Sequence, residues 1–372
     1  MKKITCIIVG TRPELIKVAP IIFELKKNKI EFIIINTAQH KELLAPYWDI
    51  FKLKADYELD VMKPNQSLAT LTASVINQLQ NLLDAINKNI GLIVAQGDTT
   101  TVMVASMIAF YNKIKFAHIE AGLRSFDFEN PFPEEYNRRV ASICTKFHFA
   151  PTKLSASNLL KEGINKKYIY VTGNTVVDSL QFIVKSNSLI KRKFADARLN
   201  NLENDKVVLI TCHRRENQGK GLQNIIEAVL KIANKFNNYK FVWVLHPNPN
   251  VKTIVLQSKL SQTSNCIITS PLDYIELIKL MRYSKFIITD SGGIQEEAPS
   301  FCKPIIVLRE TTERPEGVEL GMAKLCGTNI NKIYKAALWA NEYKFSLKNN
   351  PYGNGNASQK IVAILKKEAI KK

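Results

Sequence analysis

The chain has 372 residues, of which 46% are hydrophobic and 23% charged, and its formal net charge is +19. This length suggests two domains of ordinary size, and the composition excludes a disordered chain. The longest apolar runs, such as Phe286–Thr289 and Ile305–Leu308, are much shorter than the roughly 20 residues of a membrane-spanning helix, so we predict no membrane partner.

The excess of positive charge comes from lysines spread along the whole chain rather than from one basic block. A solvated lysine-rich surface explains this pattern better than a nucleic-acid site, so we predict no nucleic-acid partner. The six cysteines have no C-x-x-C spacing and form no Cys/His cluster, which predicts no metal site. Scattered cysteines and the lack of a signal-peptide pattern favour a cytoplasmic location.

Short β-branched apolar runs alternate with longer helical patterns, which is typical of βαβ units on a parallel sheet. In the first half, the predicted strands are Lys3–Val9, Phe32–Asn36, Leu92–Ala95, Phe116–Ile119, Phe147–Ala150 and Tyr168–Val171. The predicted helices between them are Glu14–Lys27, Leu68–Asn87 and Thr100–Tyr111.

The second half repeats this alternation. Its predicted strands are Val207–Thr211, Phe241–Leu245, Cys266–Thr269, Phe286–Thr289 and Ile305–Leu308, and its predicted helices are Leu222–Phe236, Asp273–Arg282 and Gln295–Ser300. Two such sets predict an α/β fold with two doubly wound domains that meet near Gly173. We interpret Lys185–Lys206 as a surface helix and loop, and Ser358–Ile370 as an amphipathic helix.

Open parallel sheets bind ligands beyond the carboxyl ends of their strands, so the residues that follow each strand are the candidates. The first strand runs into Gly10 and Pro13, with Arg12 and Lys17 close by. A tight turn with bare amides and two cations indicates an anion site. The alternative is an ordinary turn with surface cations. The turn lacks the G-x-G-x-x-G pattern, so no nicotinamide cofactor is indicated.

Three carboxylates follow strands or open a loop in the first half. Asp98 falls at the tip of an apolar strand, Glu120 comes directly after another, and Glu134 follows a proline-rich loop. Poorly solvated carboxylates at strand ends are candidates for acid and base chemistry. The alternatives are a helix-capping Asp98, a Glu120 paired with Arg124, and a Glu134 that only favours a helix N-terminus.

In the second half, His213 and two arginines follow a strand, which suits a diphosphate. The turn Ser291-Gly292-Gly293 opens a helix and would present amides to a phosphate. Glu297 lies one turn further on and could accept both hydroxyls of a ribose, and Arg314 could close over the ligand. Structural alternatives are a salt-bridged surface loop for Arg314 and a rigid proline loop for the segment of His246. Together the halves predict a sugar nucleotide in a cleft between the domains.

A series of motifs then matches a known family. The segments GTRPE, TAQH, GDTTT, HIEAGLRS, PFPEEYNR, TGNTVVD, HRREN, DSGGIQEEAPS, TTERPEG and NPYGNG follow one another along the chain. This series resembles that of non-hydrolysing UDP-N-acetylglucosamine 2-epimerases. The resemblance implies a GT-B-like fold with two Rossmann-like domains, residues 1–172 and 173–356, and a C-terminal helix 357–372 that joins the first. It also implies no cofactor, no metal and a homodimer.

The resemblance further implies reversible epimerisation of UDP-N-acetylglucosamine to UDP-N-acetylmannosamine, by elimination and re-addition of UDP through a 2-acetamidoglucal. By their motif positions, Asp98, Glu120 and Glu134 would be the acid and base groups, and His213 would stabilise or protonate the leaving diphosphate. The residues implied to hold UDP are Arg12, Lys17, Ser291, Gly292, Gly293, Glu297 and Arg314.

Some members of the family have a second, activating UDP-N-acetylglucosamine site, and Gln39, Arg214 and His246 match positions used there. Glu42 and Ser74 differ from the Gln and Arg of those members, and Ser74 removes a cation. Near the expected uracil site, two leucines replace Gln and Phe, namely Leu272 and Leu277.

Four other functions stay open at this point. A hydrolysing 2-epimerase would release UDP and free N-acetylmannosamine, and another family member would act on a different UDP-hexosamine. A GT-B glycosyltransferase would need an acceptor and leave C2 untouched. A non-catalytic sugar-nucleotide binding protein would bind the ligand and turn nothing over.

Overall fold

A computed structural model of the chain describes residues 3–86, 89–186, 188–246, 248–344 and 350–367. The chain divides into two compact units, the first made of Met1–Ser179 with Tyr352–Lys372 and the second of Leu180–Pro351. Each unit is built around one parallel β-sheet.

The first unit contains a seven-stranded sheet in the order β3-β2-β1-β4-β5-β6-β7. Its strands are β1 Ile4–Val9, β2 Phe32–Asn36, β3 Tyr57–Glu58, β4 Ile90–Gln96, β5 Lys115–Ile119, β6 Phe147–Ala150 and β7 Ile169–Val171. Its helices are α1 Arg12–Lys27, α2 Lys41–Phe51, α3 Leu68–Ala85, α4 Thr100–Tyr111, α5 Glu134–Cys144 and α6 Lys153–Lys161. Helix α7, Thr175–Lys185, begins in the first unit and ends in the second. All the strand pairs are parallel, as the near-continuous apolar runs predict.

The second unit contains a six-stranded parallel sheet in the order β10-β9-β8-β11-β12-β13. Its strands are β8 Lys206–Thr211, β9 Tyr239–Val244, β10 Cys266–Thr269, β11 Ser284–Thr289, β12 Ile305–Val307 and β13 Ala323–Leu325. Its helices are α8 Ser188–Lys191, α9 Lys220–Lys235, α10 Pro249–Gln257, α11 Tyr274–Tyr283, α12 Gly292–Glu297, α13 Glu316–Glu319 and α14 Ile330–Glu342. The last described helix, α15 Ala357–Leu365, belongs to the first unit.

Both sheets reverse their strand order at one point, between β1 and β4 in the first unit and between β8 and β11 in the second. This is the Rossmann strand order, and the crevice at such a reversal is where open α/β sheets bind ligands. The loops that leave these four strands therefore decide where a ligand can bind in each unit.

The observed unit boundaries differ from the predicted 172/173 and 356/357. The chain divides after Ser179 and after Pro351, because the start of α7 is bonded to the first unit. Asp178 accepts hydrogen bonds from the Ala357 and Ser358 amides at 3.2 and 2.9 Å, and so caps α15. The predicted end of that helix at 370 lies outside the described residues.

The interpretation of Lys185–Lys206 as a surface helix and loop holds for most of its described residues, but three apolar residues after α8 depart from it. Phe194, Leu199 and Leu202 are buried in the apolar core of the second unit. Polar neighbours concealed these three apolar positions, of which Leu199 and Leu202 lie in two short 3-10 turns. The predicted helix Gln295–Ser300 begins earlier, at Gly292, because Ser291 caps it.

The described helices include none that is both long and apolar enough to span a membrane. All six cysteines are described, and all six carry free thiols. Burial raises the pKa of Cys6 and Cys212 far above the usual range of a thiol, so these two groups are packing residues rather than nucleophiles.

Candidate active site

In the first unit, Glu14 joins the loops that follow β1 and β4. Its Oε2 accepts hydrogen bonds from the amides of Gly10 and Thr11 at 2.6 and 3.2 Å, and its Oε1 accepts the Thr99 hydroxyl at 2.6 Å. The acceptor at this turn is thus the chain's own Glu14 carboxyl group, and the simple interpretation of these amides as a ligand site is corrected. The Glu14 carboxyl thus makes the half of a capping box that satisfies the Thr11 amide.

The close approach of Gly10 to its neighbours explains its lack of a side chain. A Cβ at this position would lie 2.2 Å from Thr37 Oγ1 and 2.7 Å from Thr101 Oγ1. Thr101 also donates its hydroxyl to Gln39 Oε1 at 2.8 Å. Gln39, a predicted residue of the activating site, is therefore held beside the reversal point of the first sheet.

Glu120, at the tip of β5, is a carboxylate held by donors from three other parts of the chain. Lys17 Nζ lies 2.5 Å from its Oε1, Asn174 Nδ2 donates to the same oxygen at 3.1 Å, and Gln96 Nε2 donates to Oε2. Only 9% of the residue is exposed, and its φ of 67° is left-handed. Such strain in a non-glycine residue is common at functional sites.

The alternative pairing of Glu120 with Arg124 is wrong. Arg124 instead donates to Glu162, with Nε 2.7 Å from Oε1 and Nη2 2.8 Å from Oε2. Lys17, which the sequence assigned to UDP, lies beside Glu120 because α1 brings it back over the end of β5.

Asp98, which follows β4, is held by two residues of α5. Arg138 donates to Asp98 Oδ2 through Nε at 3.1 Å and Nη2 at 2.7 Å, and Asn137 donates to its backbone oxygen at 2.8 Å. The preceding carbonyl, that of Gly97, lies 2.7 Å from His118 Nε2. Burial lowers the pKa of His118 to about 4, so the ring is neutral and donates to this carbonyl.

The first turn of α5 carries two glutamates with different surroundings. Glu134 is half-buried at the first residue of the helix. Glu135 is fully buried and accepts hydrogen bonds from the amides of Ser125 and Phe126 at 3.0 and 3.3 Å. It also pairs with Arg138 at 3.2 Å, so Glu135 supports the loop while Glu134 is the more accessible of the two.

In the second unit, His213 and Asp290 connect the ends of β8 and β11, across the reversal point of that sheet. His213 Nδ1 lies 2.9 Å from Asp290 Oδ1. Asp290 Oδ2 accepts the amides of His213 and Arg214, both at 2.9 Å, and Asn217 Nδ2 at 3.0 Å. The Asp290 side chain is fully buried, whereas 37% of the His213 side chain is exposed.

The two remaining residues of the predicted activating site adjoin this pair. The ring of His246 stacks on that of His213, with centroids 5.3 Å apart and planes inclined by 21°. Arg214 Nε donates to the backbone oxygen of Asp290 at 3.0 Å. Burial, together with the charge of Arg309, lowers the pKa of Arg214.

The Ser291-Gly292-Gly293 turn lies beside Arg314. Ser291 caps α12, and its amide donates to Thr289 Oγ1 at 3.0 Å. Arg314 Nε donates to Glu296 at 2.6 Å, and its Nη1 donates to Glu313. Gly293 is exposed. The turn thus presents amides next to a buried guanidinium, as an anion site requires.

Glu297 accepts the hydroxyl of Tyr274 on Oε1 at 2.8 Å. Near it in the chain, Leu272 and Leu277 are half-buried against the core of the unit. Arg12, the remaining predicted UDP contact, is exposed in the first unit, with its guanidinium carbon 5.9 Å from the centre of the Tyr47 ring.

Sequence reasoning missed the residues that hold the candidates in place. These are Glu14, Gln96, Asn137, Arg138, Asn174, Tyr274, Asp290 and Glu313. The role of Asp290 could have been found from the sequence, because an aspartate at the end of a buried strand needs hydrogen-bond donors. Within the described ranges, no three His, Cys, Asp or Glu side chains are grouped to hold a metal ion.

Two Rossmann-ordered parallel sheets with polar residues at their strand ends define a chain of the GT-B-like class, and the predicted fold class is confirmed. A family model described as UDP-N-acetylglucosamine 2-epimerase matches residues 24–366. The chain belongs to this family.

Curated relatives and solved structures agree with this assignment. The UDP-N-acetylglucosamine 2-epimerase of Neisseria meningitidis is 45% identical over 99% of this chain and 100% of the relative. The crystal structure of the Neisseria meningitidis UDP-GlcNAc 2-epimerase bound to UDP-GlcNAc has a TM-score of 0.87 at 43% identity, over 98% of this chain and 100% of that one. That of Methanocaldococcus jannaschii, with UDP-GlcNAc and UDP, has a TM-score of 0.84 at 35% identity, over 98% and 99%.

Proposed function

We propose that this protein interconverts UDP-N-acetylglucosamine and UDP-N-acetylmannosamine by elimination and re-addition of UDP, without hydrolysis. The observation that carries the proposal is Glu120, a buried carboxylate at a strand tip that three donors hold in place. Membership of the family supports the choice of substrate.

The chemistry requires elimination because the C2 hydrogen of a hexosamine has no carbonyl beside it and is not acidic. When the bond from C1 to oxygen breaks, its electron pair leaves with the diphosphate, and the positive charge at C1 acidifies C2–H. A carboxylate then takes the C2 proton, and the electron pair of that bond forms the C1=C2 double bond. Delivery of a proton to the other face of C2, with return of UDP to C1, yields the epimer.

The first unit supplies the groups for proton transfer at C2 in this proposal. Asp98 follows β4, Glu120 follows β5 and Glu134 begins α5. Arg138 and Asn137 of α5 donate hydrogen bonds to Asp98. Because β4 and β5 are neighbours, these residues belong to one edge of the sheet. One carboxylate removes the proton and another returns it.

The second unit supplies the groups for the diphosphate and ribose. Gly292 and Gly293 offer amides, Ser291 offers its hydroxyl, Arg314 offers charge and Glu297 accepts ribose hydroxyls. His213, at the reversal point of the sheet, faces the charge that develops on the leaving oxygen, and such stabilisation is a large part of catalysis. Arg12 and Lys17 are the further cations that the proposal assigns to UDP.

Incubation with UDP-N-acetylglucosamine in deuterium oxide tests the proposal. Proton NMR should show UDP-N-acetylmannosamine and deuterium at C2 of both epimers, because each passage through the glucal exchanges that proton with solvent. Glu120→Gln should stop the exchange while UDP still binds. Unchanged exchange in Asp98→Asn, Glu120→Gln and Glu134→Gln would remove the proposed roles of these carboxylates.

The same spectra separate the rivals. Free N-acetylmannosamine accumulating with UDP would indicate a hydrolysing enzyme. Binding without deuterium at C2 would indicate a binding protein or a glycosyltransferase, and a panel of UDP-hexosamines identifies the preferred sugar. A homodimer, a cytoplasmic location and activation through Gln39, Arg214 and His246 belong to the same proposal. Light scattering tests the homodimer, and the dependence of rate on UDP-N-acetylglucosamine concentration tests the activation.

A further inference from the structure

Asp290 is a buried carboxylate at the reversal point of the second sheet, and the proposed reaction gives it no role. Its Oδ2 is occupied by three N–H donors, from His213, Arg214 and Asn217. Its Oδ1 lies 2.9 Å from His213 Nδ1. One carboxylate therefore holds both the backbone and the ring of the same histidine, 77 residues away in the chain.

This arrangement decides which ring nitrogen carries the proton. His213 Nδ1 and Asp290 Oδ1 lie 2.9 Å apart as an ion pair, and an ionised carboxylate has no proton to donate, so this pairing favours the proton on Nδ1. In the neutral ring the proton is then on Nδ1, and Nε2 has the lone pair.

We propose that Asp290 is the positioning residue of His213: it fixes the ring with Nδ1 protonated, and so makes Nε2 the atom that exchanges a proton with the diphosphate. The inference rests on the proposed function, in which His213 serves the leaving group. Neither the motif position of Asp290 nor the family resemblance assigned it a role.

The step balances without an external acid. As the C1–O bond breaks, its electron pair goes to the diphosphate oxygen, which takes the proton from Nε2 of the doubly protonated ring. The ring becomes neutral and keeps its Nδ1 proton toward Asp290. When UDP returns to C1, the same proton returns to Nε2. The negative charge of Asp290 stabilises the doubly protonated ring before UDP leaves and after it has returned.

The surroundings keep Asp290 ionised. Burial by itself would raise the pKa of this carboxyl, but the hydrogen bond and charge of His213 and the two backbone amides hold it well below the usual range. The other titratable or charged groups at the pair are His246, stacked on His213, Arg214 on the Asp290 backbone, and Cys212. Burial and the charge of Asp290 raise the pKa of the Cys212 thiol, so it stays neutral.

A double-mutant cycle in Asp290→Asn and His213→Asn tests the inference. Three N–H donors require an oxygen at the Oδ2 position, so the amide nitrogen of Asn must face His213 and donate to Nδ1. The neutral ring then carries its proton on Nε2. We expect kcat for C2 exchange to fall about 100-fold in Asp290→Asn, and the double variant to be no slower than His213→Asn. Effects that multiply would show that Asp290 acts independently, and would overturn the inference.

Asn217→Ala is the matched control, because it removes a donor from Asp290 Oδ2 and leaves Oδ1 beside His213. In Asn217→Ala, kcat should depend on pH as it does in the unaltered chain. Asp290→Asn should lose the same feature of the pH profile of kcat that His213→Asn loses. A pH profile of Asp290→Asn with the unaltered shape would contradict a role through the histidine.

If Asp290→Asn does not fold, the tautomer can be measured in the unaltered chain. Nitrogen-15 NMR of the five histidines, with His213 assigned from its loss in His213→Asn, should show a protonated Nδ1 and an unprotonated Nε2 in the neutral ring. The opposite tautomer would refute the inference. If the unaltered chain did not exchange the C2 proton with solvent, the proposed function would be refuted instead. The measured tautomer would still show whether Asp290 pairs with Nδ1 of His213.

Discussion

Gly292 lies directly against the guanidinium of Arg314. A Cβ on Gly292 would be 2.7 Å from Arg314 Nη1 and 2.9 Å from its Cζ. The guanidinium cannot move away freely, because Glu296 and Glu313 both accept its hydrogen bonds. The side chain of Arg314, and not an unusual backbone conformation of Gly292, is thus the reason that a glycine is required here.

Gly292→Ala should displace Arg314 from its two carboxylates and leave these buried charges poorly paired. The free energy of unfolding should fall by about 1–3 kcal/mol, as measured by urea unfolding, and UDP should bind more weakly. Gly293→Ala is the matched control, since its Cβ would contact only Ser291 Oγ at 3.8 Å. It should be neutral or raise stability by up to about 1 kcal/mol through helix propensity. Equal losses in both variants would contradict this role of Arg314.

Arg138→Gln should slow C2 exchange about 10- to 100-fold, because Asp98 then loses the two donors that orient it. UDP affinity should change little, since the proposed nucleotide contacts of the second unit are unaltered. Arg139→Gln provides the comparison: Arg139 stacks on Phe128 at 5.0 Å and reaches Glu135 at 3.4 Å. Its exchange rate should stay within about twofold of the parent. If Arg139→Gln were as slow as Arg138→Gln, the orientation of Asp98 would not be the cause.

Lys17→Met should destabilise the chain by about 3–5 kcal/mol, because it leaves Glu120 as a buried charge without its ion-pair partner. Adding Glu120→Gln to Lys17→Met should recover part of this loss, since the buried charge is then removed as well. Urea unfolding of both single variants and the double variant measures the coupling. Additive losses would mean that the two residues do not interact in solution.

Glu14→Gln should change how stability depends on pH. Burial raises the pKa of Glu14 from 4.5 to about 7, against hydrogen bonds from Thr99, Gly10 and Thr11 that lower it. Between these values the folded state holds a proton that the unfolded state releases, so the contribution of Glu14 is present at low pH and is lost as pH rises toward 7. From about pH 5 to about pH 7.5, Gln should gain roughly 2.4 kcal/mol relative to Glu. A constant difference across this range would exclude the raised pKa.

His148→Phe should show the opposite trend and serves as an internal comparison. Burial, with the nearby charges of His118 and Arg124, lowers the pKa of His148 from 6.5 to about 3. The unfolded state therefore binds a proton below about pH 6.5 that the folded state resists, and stability is lost as pH falls. Replacing the ring by Phe should make the chain less sensitive to acid, as measured by urea unfolding at about pH 5 and about pH 7.5.

The sheets themselves could be predicted from local patterns. Strands β2, β6 and β10 match their predicted bounds, and α4 does as well, because buried parallel strands are short, apolar and β-branched over their whole length. The short edge strands β3 and β13 were missed. Two or three residues carry too little pattern to be distinguished from loops.

The sequence by itself determined the fold class, the family and which polar residues follow the strands, because these depend on local periodicity and on motifs that are continuous in the chain. Only the tertiary structure decided the partner of each candidate. Glu120 pairs with Lys17, 103 residues away, and not with the nearby Arg124, and Asp290 holds His213 across the sheet reversal. A hydrogen bond depends on a few tenths of an ångström, and strand order and helix packing set that distance between residues far apart in sequence.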